Sequence, residues 1–128
     1  MVDICGIVNL YDLHQTDCLY EIEFLGTLPE FRGKHIALNI VKYSLQLARE
    51  LRHGGEHVNY VPDHVKDRRP IAAMSIYSSK YSQRIGDITN MKVHTRVNHK
   101  DYFFKGKNYM ERIPDPTQAT STLVSVVL

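Results

Sequence analysis

"FLGTLPEFRGKHIALNIVKYSLQLAREL", residues 24–51, joins an apolar strand end, a proline, a basic glycine-containing turn and a long amphipathic segment. From Ile36 onward the inward-reading positions are Ile36, Ala37, Ile40, Val41, Ser44, Leu47, Ala48 and Leu51. That i, i+3, i+4, i+7 recurrence predicts a helix lying on a core. Lys42, Gln46, Arg49, Glu50 and Arg52 read outward. Arg49 and Arg52 suit the negative C-terminal end, and Gly54 and Gly55 stop the helix. Its start is unusual. Arg32, Lys34 and His35 crowd the end where unbonded N–H groups and the helix dipole are already positive, and where carboxylates are favoured. A basic first turn is tolerable when an anion such as a phosphate sits in front of it.

Upstream, "ICGIVNLYDL" (residues 4–13) is a nearly continuous apolar run, which predicts a strand covered on both faces. "HQTD" supplies turn chemistry. "CLYEIEFLGTL" (residues 18–28) follows as a second strand ended by Pro29, so the pair reads as a hairpin. Downstream, "EHVNYVPDHVKDRRP" reads as an exposed connection and "IAAMSIY" as a short buried strand. "SSKYSQRIGDI" reads as a short helix capped by Ser78 or Ser79. "NMKVHTRV" alternates as a half-exposed strand, a turn is expected at Lys105, Gly106 and Lys107, and "STLVSVVL" ends the chain as a strand tied into the sheet. Strands alternating with helices give an α/β (α+β) fold class: a mixed, mostly antiparallel central sheet with a long helix after the second strand.

The 128 residues fit one domain spanning 1–128. A hydrophobic share of 43% with 23% charged residues is that of an ordinary globular protein. The net charge of +2 argues neither for nor against nucleic acid, and "VKDRRP" lacks the interleaved basic and aromatic residues of a nucleic-acid patch. Cys5 and Cys18 fall in the expected strands without metal-ligand spacing, as thiols of a reducing compartment do. The 7 histidines are scattered. His53 and His57 have i, i+4 spacing, but Gly54 and Gly55 break the helix that would align them, so no metal site is expected. No basic leader or membrane-length apolar run opens the chain, and a cytoplasmic location is expected.

The block from Phe24 to Leu51 resembles the acetyl-CoA-binding core of the GCN5-related N-acetyltransferases. The family pattern is a strand, a segment often containing proline, then Arg or Gln, two residues, Gly, one residue, and Gly or Ala. Arg32 and Ala37 match it, and His35 stands where the family usually has Gly. The resemblance implies acetyl-CoA as cofactor. Its pantetheine arm would lie along Leu25, Gly26, Thr27 and Leu28, and its pyrophosphate on Arg32, Gly33, Lys34, His35, Ile36 and Ala37. The β-carbon of His35 either obstructs a phosphate there or brings an imidazole to contact it.

"AAMSIYSSKYSQRIGDITNMKVHTRVNHKDY" is similar to the later part of arylalkylamine N-acetyltransferase-like proteins of insects. Thr89, Asn90 and Met91 take the place of a Leu-Gly-Phe turn, and Asp101-Tyr102 that of an Asp-Tyr pair. The resemblance implies acetyl transfer to a small-molecule amine by direct attack in a ternary complex, with no nucleic-acid or membrane partner. Ser78 and Ser82, i, i+4 on one helical face, are the candidate catalytic serine pair, with Ser79 the competitor and helix capping the plainer role. Tyr81 is a candidate proton donor to the thiolate, or a half-buried packing residue. The resemblance allows a carboxylate on the strand before the cofactor loop to act as base. Of Glu21 and Glu23, one is expected to face the site and the other the opposite side, an ordinary strand glutamate being the plainer role for each. The family's amino-terminal strand and helices, with the Glu that acts as base, have no counterpart in this sequence. The alternative is therefore a non-catalytic coenzyme A-binding or protein-interaction module. A sheet shortened in this way would leave an open edge, from which a homodimer is expected.

Overall fold

The computed structural model describes residues 4–128; residues 1–3, part of the stretch read as lacking a leader, lie outside the described residues. A 3-10 turn at Ile4–Gly6 is followed by α1 (Leu10–His14), β1 (Leu19–Ile22), α2 (Ile36–Arg52), β2 (Ala72–Tyr77) and α3 (Lys80–Ile88). The remainder is β3 (Lys92–Asn98), β4 (Phe103–Phe104), β5 (Lys107–Asn108), α4 (Tyr109–Arg112) and β6 (Thr120–Val127). The main sheet has the order β1-β2-β6-β3. β1 runs parallel to β2, whereas β2–β6 and β6–β3 are antiparallel. This is the mixed, mostly antiparallel sheet that the sequence indicates. β6 threads between β2 and β3, and its centre, Thr122, Leu123 and Val124, is buried.

Each face of the sheet carries its own core. On one, Met74, Val97 and Leu123 pack with Ile4 and Leu10 of the N-terminal segment. On the other, Ala73 packs with Val41 and Leu45 of α2, and Tyr77, Met91 and Val124 cluster at the end covered by α3. α2 keeps its expected bounds but is rotated from the expected stripe. Val41, Leu45 and Ala48 are buried, while Ile36 is exposed and Ile40 is 51% exposed. Val41 and Leu45 are the helix residues that pack on Ala73 and on Tyr20, Ile22, Leu25, Ile85, Val126 and Leu128. Arg52, expected outward, is drawn in to donate to the Ile71 carbonyl at 2.8 Å.

Residues 4–13 do not form a strand, and the expected hairpin is absent among the described residues. Asn9 caps α1 by accepting from the N–H groups of Tyr11 and Asp12, and Gln15 ends the helix in a left-handed conformation. A short apolar run suits a buried strand and a buried helix equally, and here the Asn cap decides between them. Cys5 accordingly lies in the 3-10 turn, and Cys18 just ahead of β1. β3 also departs from simple alternation. Its register shifts between Val93 and Thr95, so His94 is the extra residue of a β-bulge.

Candidate functional site

β1 and β2 stay paired only from Leu19↔Ala72 to Ile22↔Ser75. The Ser75 hydroxyl then donates to the Ile22 carbonyl at 2.7 Å and closes the ladder. At Phe24 the backbone turns left-handed, φ 53°, and the side chain is 99% exposed. β2 continues through Ile76 and Tyr77, while residues 23–28 run on outside the ladder. The expected strand through residue 28 therefore stops at Ile22, because a left-handed residue cannot continue a pleat. Two neighbouring parallel strands splay apart, leaving main-chain groups on both sides of the gap that are not used by the ladder.

The splayed segment leads into a 3-10 turn at Pro29–Phe31 and then into the basic loop. Gly33 has φ 79°, and His35, the N-cap of α2, has φ 56° with no side-chain cap bond. The first bond into α2 runs from Asn39 N–H to the His35 carbonyl. The N–H groups of Ile36, Ala37 and Leu38 thus precede the helical ladder and point out of its end. No acidic residue occupies that first turn. Arg32 donates its Nε–H to the Thr27 carbonyl at 3.2 Å, tying the splayed segment to the loop, and Lys34 lies over the Phe31 ring. Residues 25–28 and 32–37 thus form one continuous path, and the exposed loop fits a pyrophosphate: unbonded donors, positive dipole and cations converge there.

α3 begins at Lys80, so Ser78 lies before the helix and does not share a helical face with Ser82. The serines brought together are Ser79 and Ser82. Ser79 is the N-cap; its Oγ accepts from Ser82 N–H, and its own N–H donates to Ser82 Oγ, both at 3.2 Å. Their hydroxyls are 3.0 Å apart. Tyr81 is 65% exposed rather than half-buried. The buried tyrosine of this region is Tyr77, whose hydroxyl donates to Met91 Sδ.

Glu21 and Glu23 do not face opposite sides. The Glu23 carboxylate stands close enough to Glu21 to act on it, as residues two apart along an extended chain share a face. Burial, then the Glu23 carboxylate beside it, holds the Glu21 carboxyl above the ordinary range. That the two share a face was readable from the spacing of two itself. Among the described residues no group of three or more His, Cys, Asp or Glu is arranged to hold a metal ion. No helix among them is long and apolar enough to cross a membrane.

The arrangement of a split parallel pair, a basic loop and a long helix behind it is a fold that solved N-acetyltransferase structures share. The mosquito arylalkylamine N-acetyltransferase-like 5b superposes with a TM-score of 0.73 at 13% identity, covering 98% of this chain and 50% of its own. Arylalkylamine N-acetyltransferase 2 from Aedes aegypti gives 0.70 at 21% identity, over 95% of this chain and 48% of its own. An agmatine N-acetyltransferase variant gives 0.69 at 14% identity, over 98% and 52%. The chain spans about half the length of the solved structures it matches. No protein-family model and no curated protein sequence matches it.

Proposed function

We propose that this chain binds acetyl-CoA along residues 25–28 and 32–37 and transfers the acetyl group to a small amine by direct attack. The observation that carries the reading is the continuity of the path. An opened β1–β2 ladder leads directly into a left-handed basic loop at the start of a 17-residue helix whose first turn holds no carboxylate. Bound acetyl-CoA supplies the thioester. Main-chain groups of residues 25–28 hold the pantetheine arm as an added strand would be held, and the N–H groups at the start of α2 take the pyrophosphate. Glu21, made more basic by burial and by Glu23, takes the proton of the incoming ammonium. Ser78 is exposed and stands outside the capping box, so its hydroxyl is available to the departing thiolate. Ser82 serves mainly by fixing the start of α3.

The capping box that engages the hydroxyls of Ser79 and Ser82 with each other favours a second reading, a coenzyme A-binding module without turnover. Calorimetric titration with acetyl-CoA, using Arg32→Ala as control, tests the common part of both. Binding that weakens at least tenfold in the control supports the loop assignment, because a cationic partner of a phosphate contributes about 1.5–3 kcal/mol. Absence of binding by the native chain removes both readings. Release of coenzyme A thiol in the presence of a panel of small amines then separates enzyme from module.

A further inference from the structure

We propose that His14, Ser125 and His94 form a pH-sensitive latch that holds residues 4–14 on the sheet at neutral pH and releases them on acidification. The three side chains come from α1, β6 and the bulge of β3, and they meet on the face of the sheet away from α2. His14 Nε2 lies 2.9 Å and His94 Nε2 2.7 Å from Ser125 Oγ. The two rings stand edge to face with centroids 6.2 Å apart. Ser125 is only 2% exposed, so water does not replace either partner. The bulge makes the arrangement possible, because the extra residue in β3 is the one that reaches the Ser125 hydroxyl.

A serine hydroxyl carries one proton. Flanked by two imidazole nitrogens, it donates to one and accepts from the other, so the two rings hold opposite tautomers. The shorter contact suits O–H···N to His94, and the longer one N–H···O from His14. His94 is then the ring that must stay neutral. Burial first, then Lys92 and His14, hold its pKa below the ordinary histidine value. The charged and titratable groups on the elements around it are Lys92 on β3, His14 and the exposed Asp12 on α1, and Glu21. The register places Glu21 on the same face of the sheet, opposite Met74, which is itself opposite Ser125. Protonating His94 turns the acceptor into a second donor. Ser125 then receives two N–H groups while its own proton has no acceptor, and a cation appears beside Lys92.

The sign follows from proton counting. A histidine depressed in the docked state binds fewer protons there than when released, so docking is unaffected above about pH 6.5 and weakens as pH falls through the lowered value. Release separates Ile4 and Leu10 from Met74, Val97 and Leu123 while the strand ladders remain.

Amide hydrogen exchange at about pH 7.5 and about pH 5 tests the latch, read as protection relative to the unstructured rate. The native chain should lose protection at Leu13 and Thr16, whose N–H groups bond to Asn9 and Tyr11. The loss should approach tenfold per unit of pKa difference, with β2 and β6 still protected. His94→Gln, whose amide oxygen accepts the Ser125 proton without titrating, should keep Leu13 and Thr16 protected at both values. Nitrogen-15 shifts should show the two rings as opposite tautomers. Equal protection at both pH values, an undiminished loss in His94→Gln, the same tautomer in both rings, or loss spreading equally through β2 and β6 would each overturn the latch.

Discussion

His35 adopts the backbone that glycine takes at no cost. With φ 56° and ψ 23° at the N-cap of α2, it keeps the loop in a left-handed shape at a strain of about 1–2 kcal/mol. Histidine in place of glycine at this position therefore leaves the main chain as glycine would and adds a side chain beside the proposed phosphate path. His35→Gly should tighten acetyl-CoA binding about fivefold, the equivalent of about 1 kcal/mol of relieved crowding, measured by calorimetry against the native chain. Weaker binding would mean instead that the imidazole contacts the phosphate. Glu21 makes a second residue-level case. As the base it must be ionised, so the acid limb of kcat/KM should lie above the ordinary glutamate range of about 4.3. Glu21→Gln should lower kcat by about 10²–10⁴ with a smaller change in KM. The basic loop was legible in the sequence because Arg32, Gly33 and Lys34 are contiguous and the helix behind them is periodic. Which way Glu21 and Glu23 point was also legible, from their separation of two. The left-handed turn at Phe24 was not, since nothing local about a phenylalanine signals positive φ.

At the scale of elements, α3 is set by a glycine. A β-carbon on Gly86 would stand 3.0 Å from Tyr77 Cε2 and 3.2 Å from Cδ2, and the Tyr77 ring is buried beneath the helix. Gly86→Val should destabilise the fold by about 1–3 kcal/mol through overpacking. The gain in helix propensity is too small to offset it, as valine recovers only part of the roughly 1 kcal/mol between Gly and Ala. A lowered denaturant midpoint with unchanged m-value would show it. An unchanged midpoint would mean that α3 can shift away from β2. Elements with repeated local signals were legible: the bounds of α2, though not which of its residues face inward, the Ser cap of α3, and the Lys105-Gly106 turn, where both residues take positive φ between β4 and β5. α1 was misread because its apolar residues outweighed a single Asn cap. The bulge at His94 escaped notice because its partner, Ser125, lies 31 positions away.

At the scale of the molecule, the two edges of the sheet are β1 and β3, and they differ in kind. β3 carries a bulge, Lys92 and Arg96, which are devices that discourage pairing with another chain. β1 is four residues long, and Glu21 and, just beyond the strand, Glu23 lie close together beside it. Two copies joined antiparallel along β1 through a twofold axis would bring four carboxylates together. That arrangement is unfavourable while all are ionised. The expected homodimer should therefore be weak in the native chain at neutral pH and become populated in the double variant Glu21→Gln, Glu23→Gln, which removes the repulsion and leaves the edge open. Light scattering over a range of protein concentrations measures it. A monomer for both chains would show that the shortness of β1 and the turn at Phe24 protect the edge without help from charge. A native dimer of undiminished strength would place the contact elsewhere, on the exposed side of α2 where Ile40 and Tyr43 are bare. If both predictions hold, the same pair of carboxylates serves two ends: Glu23 makes Glu21 a better base beside the splayed ladder, and together they keep a second chain from pairing along β1.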